Sequence, residues 1–233
     1  MDFKTLQNKL IEIKNKGFVS SLRTGSTGVG YTFEQLLGVE ENNLPLPDIG
    51  GRVEIKTVRK DAESLVTLFT FNKGVWQIKQ KELILKYGYI DDKNRYALKA
   101  TVFHSHPTPQ GLILKTDENK NIISLVDSVE NTILATWDVY VIVGKFMSKL
   151  SRLLLVLAQR KISESIEYFH YNEAFLLTDP DARNFLKAFK NNMIGIDLRM
   201  HLKENESVRN RGTAFRIKVS NFIDLYDNRK KLV

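Results

Sequence analysis

The stretch that most constrains the fold is Leu153-Leu-Leu-Val-Leu-Ala158, an unbroken apolar run of six residues. It has no polar face, so as a strand it must be covered on both sides. It is the longest apolar run in the sequence, and a membrane helix needs about 20 such residues. The chain is therefore expected to build a central sheet with layers on both faces. Its 233 residues, 42% apolar and 27% charged, suffice for one domain, or one domain divided into two lobes.

The remaining periodicities predict a mixed α/β (α+β) fold whose strand order the sequence leaves open. Phe3, Leu6, Leu10 and Ile13 follow helical spacing. Gly25, Gly28 and Gly30 read as a loop, followed by a helix over Thr32–Leu37 with Gly38 as its C-cap. Arg52–Val58 alternates as a half-buried strand, with Leu65–Phe71 as its expected β neighbour. Trp76–Tyr87 reads as a helix, and Tyr96 to about Val143 as short strands with turns at Pro107–Gly111 and Glu118–Asn121. Tyr168–Leu177, Ile194–Leu198 and Ala214–Val219 read as further strands. Asp179 and Pro180 are expected to open a helix carrying Phe185, Leu186 and Phe189.

Lys plus Arg total 35 and Asp plus Glu 27, a net charge of +8, which favours an anionic partner such as nucleic acid. The absence of cysteine excludes disulfides, thiol nucleophiles and thiolate metal sites. The N-terminal residues carry no basic stretch followed by an apolar core, so the expectation is a soluble cytoplasmic protein with no membrane association.

Chemistry concentrates in Pro47-Asp48-Ile49-Gly50-Gly51-Arg52-Val53-Glu54-Ile55-Lys56. Magnesium-assisted phosphodiester hydrolysis needs one or two carboxylates that leave other metal positions to water and phosphate. Asp48 and Glu54 can supply them, with Gly50 and Gly51 allowing the bend between them. On a strand Lys56 shares a face with Glu54 and can hold the attacking water or stabilise developing charge. By composition alone a Glu-x-Lys pattern arises about once in a chain of this size, and Glu54 with Lys56 can equally be a solvated ion pair. The sequence carries a decoy, Glu12-Ile13-Lys14. There the periodicity is helical, so residues two apart diverge and cannot share a metal.

The run Gly25-Ser-Thr-Gly28-Val-Gly30-Tyr-Thr-Phe-Glu34, then Glu41-Asn42-Asn43, Pro47-Asp48 and Val53-Glu54-Ile55-Lys56-Thr57, resembles the MvaI/BcnI-type restriction endonucleases. That group is itself similar to the mismatch-repair nickase MutH. Leu65–Phe69, Thr136-Trp137-Asp138, Leu153–Ala158 and Arg211–Ile217 agree in order, so the resemblance spans nearly the whole chain.

The resemblance implies a PD-(D/E)xK, MutH-like fold with two lobes around a DNA cleft. The core would lie mainly in residues 1–100 and 150–190, and the recognition elements mainly in 100–150 and 195–220. It implies Asp48, Glu54 and Lys56 as the catalytic group, with Mg2+ on Asp48 and Glu54. Glu34 on the preceding helix would reach the same site; otherwise it is an ordinary helix carboxylate. The Gly25–Gly30 loop, with Ser26 and Thr27, would lie near the DNA backbone, where free helix N–H groups suit a phosphate.

Between Arg199 and Lys218 there are six Lys/Arg and two carboxylates. Arg209, Arg211, Thr213 and Arg216 are candidates for base readout or phosphate contact; a solvated basic loop is the alternative. Gly212-Thr-Ala-Phe-Arg-Ile217 resembles the MvaI branch more than the BcnI branch, which points to a CCWGG-type target. His104 and His106 suit a loop near DNA or a plain surface pair, since a zinc site needs a third ligand. Trp76 and Trp137 read as core.

The expected activity is that of a magnesium-dependent type II endonuclease. It would cut double-stranded DNA at a short pseudo-palindromic C/G-rich site, as a monomer nicking the strands in turn, with a cognate methyltransferase as genetic partner. The alternatives are a MutH-like repair nickase and a non-catalytic DNA-binding protein. Against the last stands the acidic pair, which would repel phosphate unless a cation intervened.

Overall fold

The computed structural model describes residues 2–39, 47–71 and 74–233, so the Glu41-Asn42-Asn43 segment lies outside the described residues. The chain divides into two compact units that it visits alternately: Met1–Ser64, Met147–Asp181 and Phe222–Val233 form the first, Leu65–Phe146 and Ala182–Asn221 the second.

The first unit begins with α1 (Phe3–Asn15), β1 (Val19–Ser20), α2 (Gly28–Leu37) and β2 (Glu54–Arg59). The second takes β3 (Val66–Phe71), α3 (Gln80–Tyr87), β4 (Tyr89–Ile90), β5 (Tyr96–Val102), β6 (Leu112–Asp117), β7 (Ile122–Asp127) and β8 (Ile133–Asp138). Helix α4 (Val139–Lys149) leads back to β9 (Arg152–Ser163) and β10 (Ile166–Pro180) of the first unit. Then come α5 (Ala182–Lys190), β11 (Ile194–Leu202), β12 (Val208–Asn210) and β13 (Thr213–Ile217) of the second, and β14 (Tyr226–Lys231) of the first.

The sheet of the first unit runs β1-β10-β9-β2, with β14 also on β10. The apolar run lies in β9 as expected: Leu153, Leu154, Leu155, Val156 and Ala158 are each no more than 1% exposed. β9 pairs antiparallel with β10 and parallel with β2. One face packs Ile55, Leu154, Val156 and Ala158 against Leu6, Leu10 and Ile13 of α1 and Val29, Phe33 and Leu37 of α2. Helix α1 starts where Asp2 accepts the Thr5 N–H at 2.8 Å, and α2 stops at Gly38, whose φ of 77° suits a residue without Cβ.

The second unit holds a sheet ordered β3-β13-β11-β5-β4, with β12 on β11, and a β6-β7-β8 meander. Trp137 is core, 1% exposed, and its indole N–H donates to Thr213 Oγ1 at 3.2 Å. No helix among the described residues is long and apolar enough to cross a membrane.

Several expectations are corrected. Leu65–Phe71 is not the neighbour of the carboxylate strand: β3 pairs with β13, and β2 with β9. Gly28 and Gly30 lie inside α2 rather than in the loop before it. Trp76 precedes α3 and bridges Ala135, because the segment around it hydrogen-bonds to β8 as extended chain. Val139–Val143 is helix, not strand. Asp138 caps it by accepting the Val141 N–H at 3.0 Å, and Ile142 and Phe146, four residues apart, bury one face. Pro180 ends β10 opposite Tyr226, so the next helix opens at Ala182.

Candidate active site

β2 begins at Glu54 after a tight bend. Ile49 and Val53 form a β-bridge around Gly50 and Gly51, whose φ values of 57° and 68° L side chains rarely adopt. The bend returns Asp48 to the strand, where its Oδ2 accepts the Ile55 N–H at 2.7 Å.

Glu54 and Lys56 alternate with Ile55 and lie on the face of the sheet away from α1 and α2, in register with Leu153 and Leu155. That face is not half-exposed as the alternation suggested: Glu54 is 3% exposed. Lys56 Nζ hydrogen-bonds Glu54 Oε1. A second ammonium, that of Lys149 at the end of α4, lies 3.4 Å from the same oxygen. Glu54 Oε2 is buried without a hydrogen-bond partner. Nearby, Tyr226 donates to the Leu150 carbonyl at 2.9 Å; burial, reinforced by the charge of Glu54, pushes its phenol above the ordinary value.

These features distinguish Glu54 and Lys56 from a solvated surface pair. A solvated pair would be worth about 0–1 kcal/mol and leave neither partner buried. Here the carboxylate is enclosed, two ammonium groups lie beside one of its oxygens, and the other oxygen has no hydrogen-bond partner. An oxygen donor held dry and unsaturated fits a hard divalent cation, as does the oxygen-only chemistry of Asp48 and Glu54.

Glu34 lies in the second half of α2, partly buried. Among the described residues no three or more His, Asp or Glu side chains form a metal-holding group, so Glu34, Asp48 and Glu54 are not gathered into one. The decoy Lys14 sits in α1, and its carbonyl is 3.0 Å from His170 Nε2.

Ser26 and Thr27 are exposed in the loop before α2, and Thr27 makes no side-chain cap bond. Gly28 is required there: a Cβ would meet the Arg23 carbonyl oxygen at 2.2 Å. In the second unit Arg209 and Arg211 are exposed. Arg216 is instead tied down, donating to Asp197 Oδ2 at 2.7 Å and to the Leu65 carbonyl. Thr213 is 1% exposed, and its hydroxyl donates to the Phe71 carbonyl at 3.1 Å, so it offers nothing to a ligand at the surface. His104 Nε2 is 3.2 Å from Thr116 Oγ1 and His106 Nδ1 is 2.8 Å from Ser105 Oγ, so each ring has its own partner. Burial, with Lys190 adding to it, lowers the His104 pKa.

Sequence reasoning missed Lys149 and Arg199. The only sequence signal for Lys149 is a basic residue just ahead of the apolar run. Arg199 braces Arg211 on both sides: its carbonyl accepts the Arg211 N–H at 3.0 Å and its Nη2 donates to the Arg211 carbonyl at 3.1 Å.

The mixed α and β fold is that of PD-(D/E)xK-type restriction endonucleases. Two structures of restriction endonuclease MvaI resemble this chain throughout. The complex with cognate DNA substrate matches at 26% identity over 100% of both chains, with a TM-score of 0.82. MvaI in the absence of DNA matches at 26% identity over 100% of this chain and 99% of that one, with a TM-score of 0.58. A search of curated proteins gives no match. The chain belongs to the MvaI/BcnI restriction endonuclease family, whose family model matches residues 7–226. It is thus a nuclease of a restriction system, a DNA-binding hydrolase from a family that generally uses a divalent metal.

Proposed function

We propose that this chain is a magnesium-dependent type II endonuclease that cuts both strands of double-stranded DNA at CCWGG, acting as a cytoplasmic monomer that nicks the strands in turn. The observation that carries the reading is Glu54: buried, flanked by Lys56, and keeping one oxygen without a partner. Asp48 and Glu54 are the residues that would hold the cation. When bound, it supplies Lewis acidity at the scissile phosphate. Lys56 orients the attacking water and donates to the charge that develops on the phosphoryl oxygens. In-line attack on phosphorus then expels the 3′ oxygen and leaves a 5′-phosphate.

In this reading the first unit carries the chemistry and the second the sequence readout. Arg211 and Arg209 are the exposed guanidinium groups offered to guanine edges or phosphates. The CCWGG assignment rests on the MvaI-like spelling Gly212–Ile217. An unmodified host would be cut, so a methyltransferase of the same specificity is the genetic partner.

The test is incubation of unmethylated phage DNA with the protein and magnesium, followed by sequencing of the fragment ends. Linear fragments ending at one short site with 5′-phosphates are expected. Intact DNA, nicks on one strand only, or ends at unrelated sequences would overturn the reading.

A further inference from the structure

Two enclosed carboxylates of the second unit show how this chain satisfies a buried acid. Asp91 Oδ2 accepts from Arg95 at 2.8 Å and Lys99 at 2.9 Å, while its Oδ1 accepts the backbone N–H groups of Lys93 and Arg95 at 3.0 and 3.2 Å. Asp127 Oδ2 accepts the Tyr87 hydroxyl at 2.6 Å, and its Oδ1 the N–H groups of Val129 and Glu130 at 2.8 and 3.0 Å. Both oxygens are used in each, as a structural carboxylate requires.

Glu54 is built differently. Lys56 hydrogen-bonds Oε1, Oε2 has no partner, and Lys149 stands at the oxygen that is already bonded. Its separation of 3.4 Å is longer than an ordinary ammonium–carboxylate hydrogen bond, so Lys149 adds charge without satisfying the open oxygen. Lys149 follows Ile142 and Phe146 at spacings of four and three residues, on the face that α4 buries. Its side chain is still 30% exposed, which leaves the ammonium within reach of a phosphate.

Asp48 and Glu54 are matched in number by the ammonium groups of Lys56 and Lys149, so together they offer a divalent cation oxygen ligands but no net negative charge. Around an enclosed carboxylate, repulsion between such a cation and a neighbouring ammonium is weakly screened. A DNA phosphate supplies the missing negative charge. We propose that Lys149 makes metal binding conditional on DNA: its ammonium opposes a divalent cation at Glu54 until a phosphate enters and takes that ammonium as its partner. The proposal rests on the nuclease reading and adds to it the order in which DNA and metal are held.

The test uses the full-length protein, calcium as a hard oxygen-seeking cation, and a duplex containing CCWGG. Calorimetry gives the calcium affinity of the protein alone. The ratio of DNA dissociation constants without and with calcium gives the coupling between the two ligands. In Lys149→Met the calcium affinity of the protein alone should rise about ten-fold and the coupling fall by the same factor. Lys149→Arg should keep both values of the unaltered protein. Calcium affinity that is unchanged or weaker in Lys149→Met, whatever the melting temperature does, would make Lys149 a charge at a helix end and overturn the proposal. Unchanged coupling would overturn it equally.

Glu54→Gln should lose calcium binding with or without the Lys149 substitution; retained binding would put the cation elsewhere and also overturn the proposal. The nuclease reading fails separately. DNA left intact in magnesium, with the calcium effects as expected, would count against that reading alone. Normal cleavage by the unaltered protein, with no change of calcium affinity in Lys149→Met, would count against the proposal alone.

Discussion

Lys149 Nζ lies 3.4 Å from Glu54 Oε1, so two ammonium groups, those of Lys56 and Lys149, flank one enclosed carboxylate. Lys149→Ala is expected to lower kcat by about ten-fold, or about 1.4 kcal/mol, with Lys149→Arg recovering part of it. Single-turnover cleavage measures this, and an unchanged rate would leave Lys149 a neutralising group without a part in the chemistry.

Asp48→Asn and Glu54→Gln keep the shape of the site while removing the charge a cation needs. Both should abolish cleavage yet leave metal-free DNA binding intact or tighter, since each lowers the repulsion of phosphate. Lys56→Ala should also inactivate, and Lys14→Ala should not. Nicking of supercoiled DNA and gel-shift titrations provide the readout; residual cleavage in any of the three variants removes that residue from the mechanism.

Arg216 and Arg211 should part company. Arg216→Ala strips Asp197 of its charge partner and should cost about 1–2 kcal/mol, visible as a fall of several degrees in melting temperature. Arg211 is exposed, so Arg211→Ala should leave the melting temperature alone and weaken DNA binding. A bidentate contact with guanine would be worth about 1–3 kcal/mol. Equal loss on cognate and random duplexes would make it a phosphate contact.

The glycines around α2 separate by surroundings. Gly28→Ala would drive a methyl to 2.2 Å from the Arg23 carbonyl oxygen and 2.7 Å from Ser21 Oγ, so the loop must shift and stability fall. At Gly30 the nearest atom is Glu34 Oε1 at 3.8 Å, and Ala there should be neutral or stabilising by up to about 1 kcal/mol. Thermal melts of the two variants compare them directly.

The Arg59 guanidinium, donating to both Glu167 oxygens at 2.7 Å, holds that carboxyl below its usual range. A depressed carboxyl contributes stability that is fully present above the unfolded-state pKa, about 4.3, and is lost as pH falls through the folded value. The melting-temperature gap between the unaltered protein and Glu167→Gln should be constant from pH 7 to about pH 5.5 and close on further acidification. A gap that ignores pH would mean the two-pronged pair contributes no charge-dependent stability.

The local part of the site was legible because its determinants lie within one bend and one strand. Spacing and alternation make Asp48, the two glycines, Glu54 and Lys56 candidates, and the family resemblance singles them out from a solvated ion pair. What was missed depends on pairing between distant segments. Lys149 comes near Glu54 only because β9 runs parallel to β2, and no spacing rule reports that. Arg216 looked free until β11 placed Asp197 beside it, and Thr213 until the Trp137 indole and the Phe71 carbonyl claimed its hydroxyl. Val139–Val143 reads as strand by its β-branched residues. The Asp138 cap and the burial of Ile142 and Phe146 outweighed that preference.

The parallel pairing of β2 with β9 also sets when the candidate site can be completed. The strand bearing Glu54 and Lys56 leaves the ribosome early, but its partner and the Lys149 ammonium follow only after Leu65–Phe146 has been made. A nascent or truncated chain that stops short of Arg152 has the acidic residues without the surface that buries them.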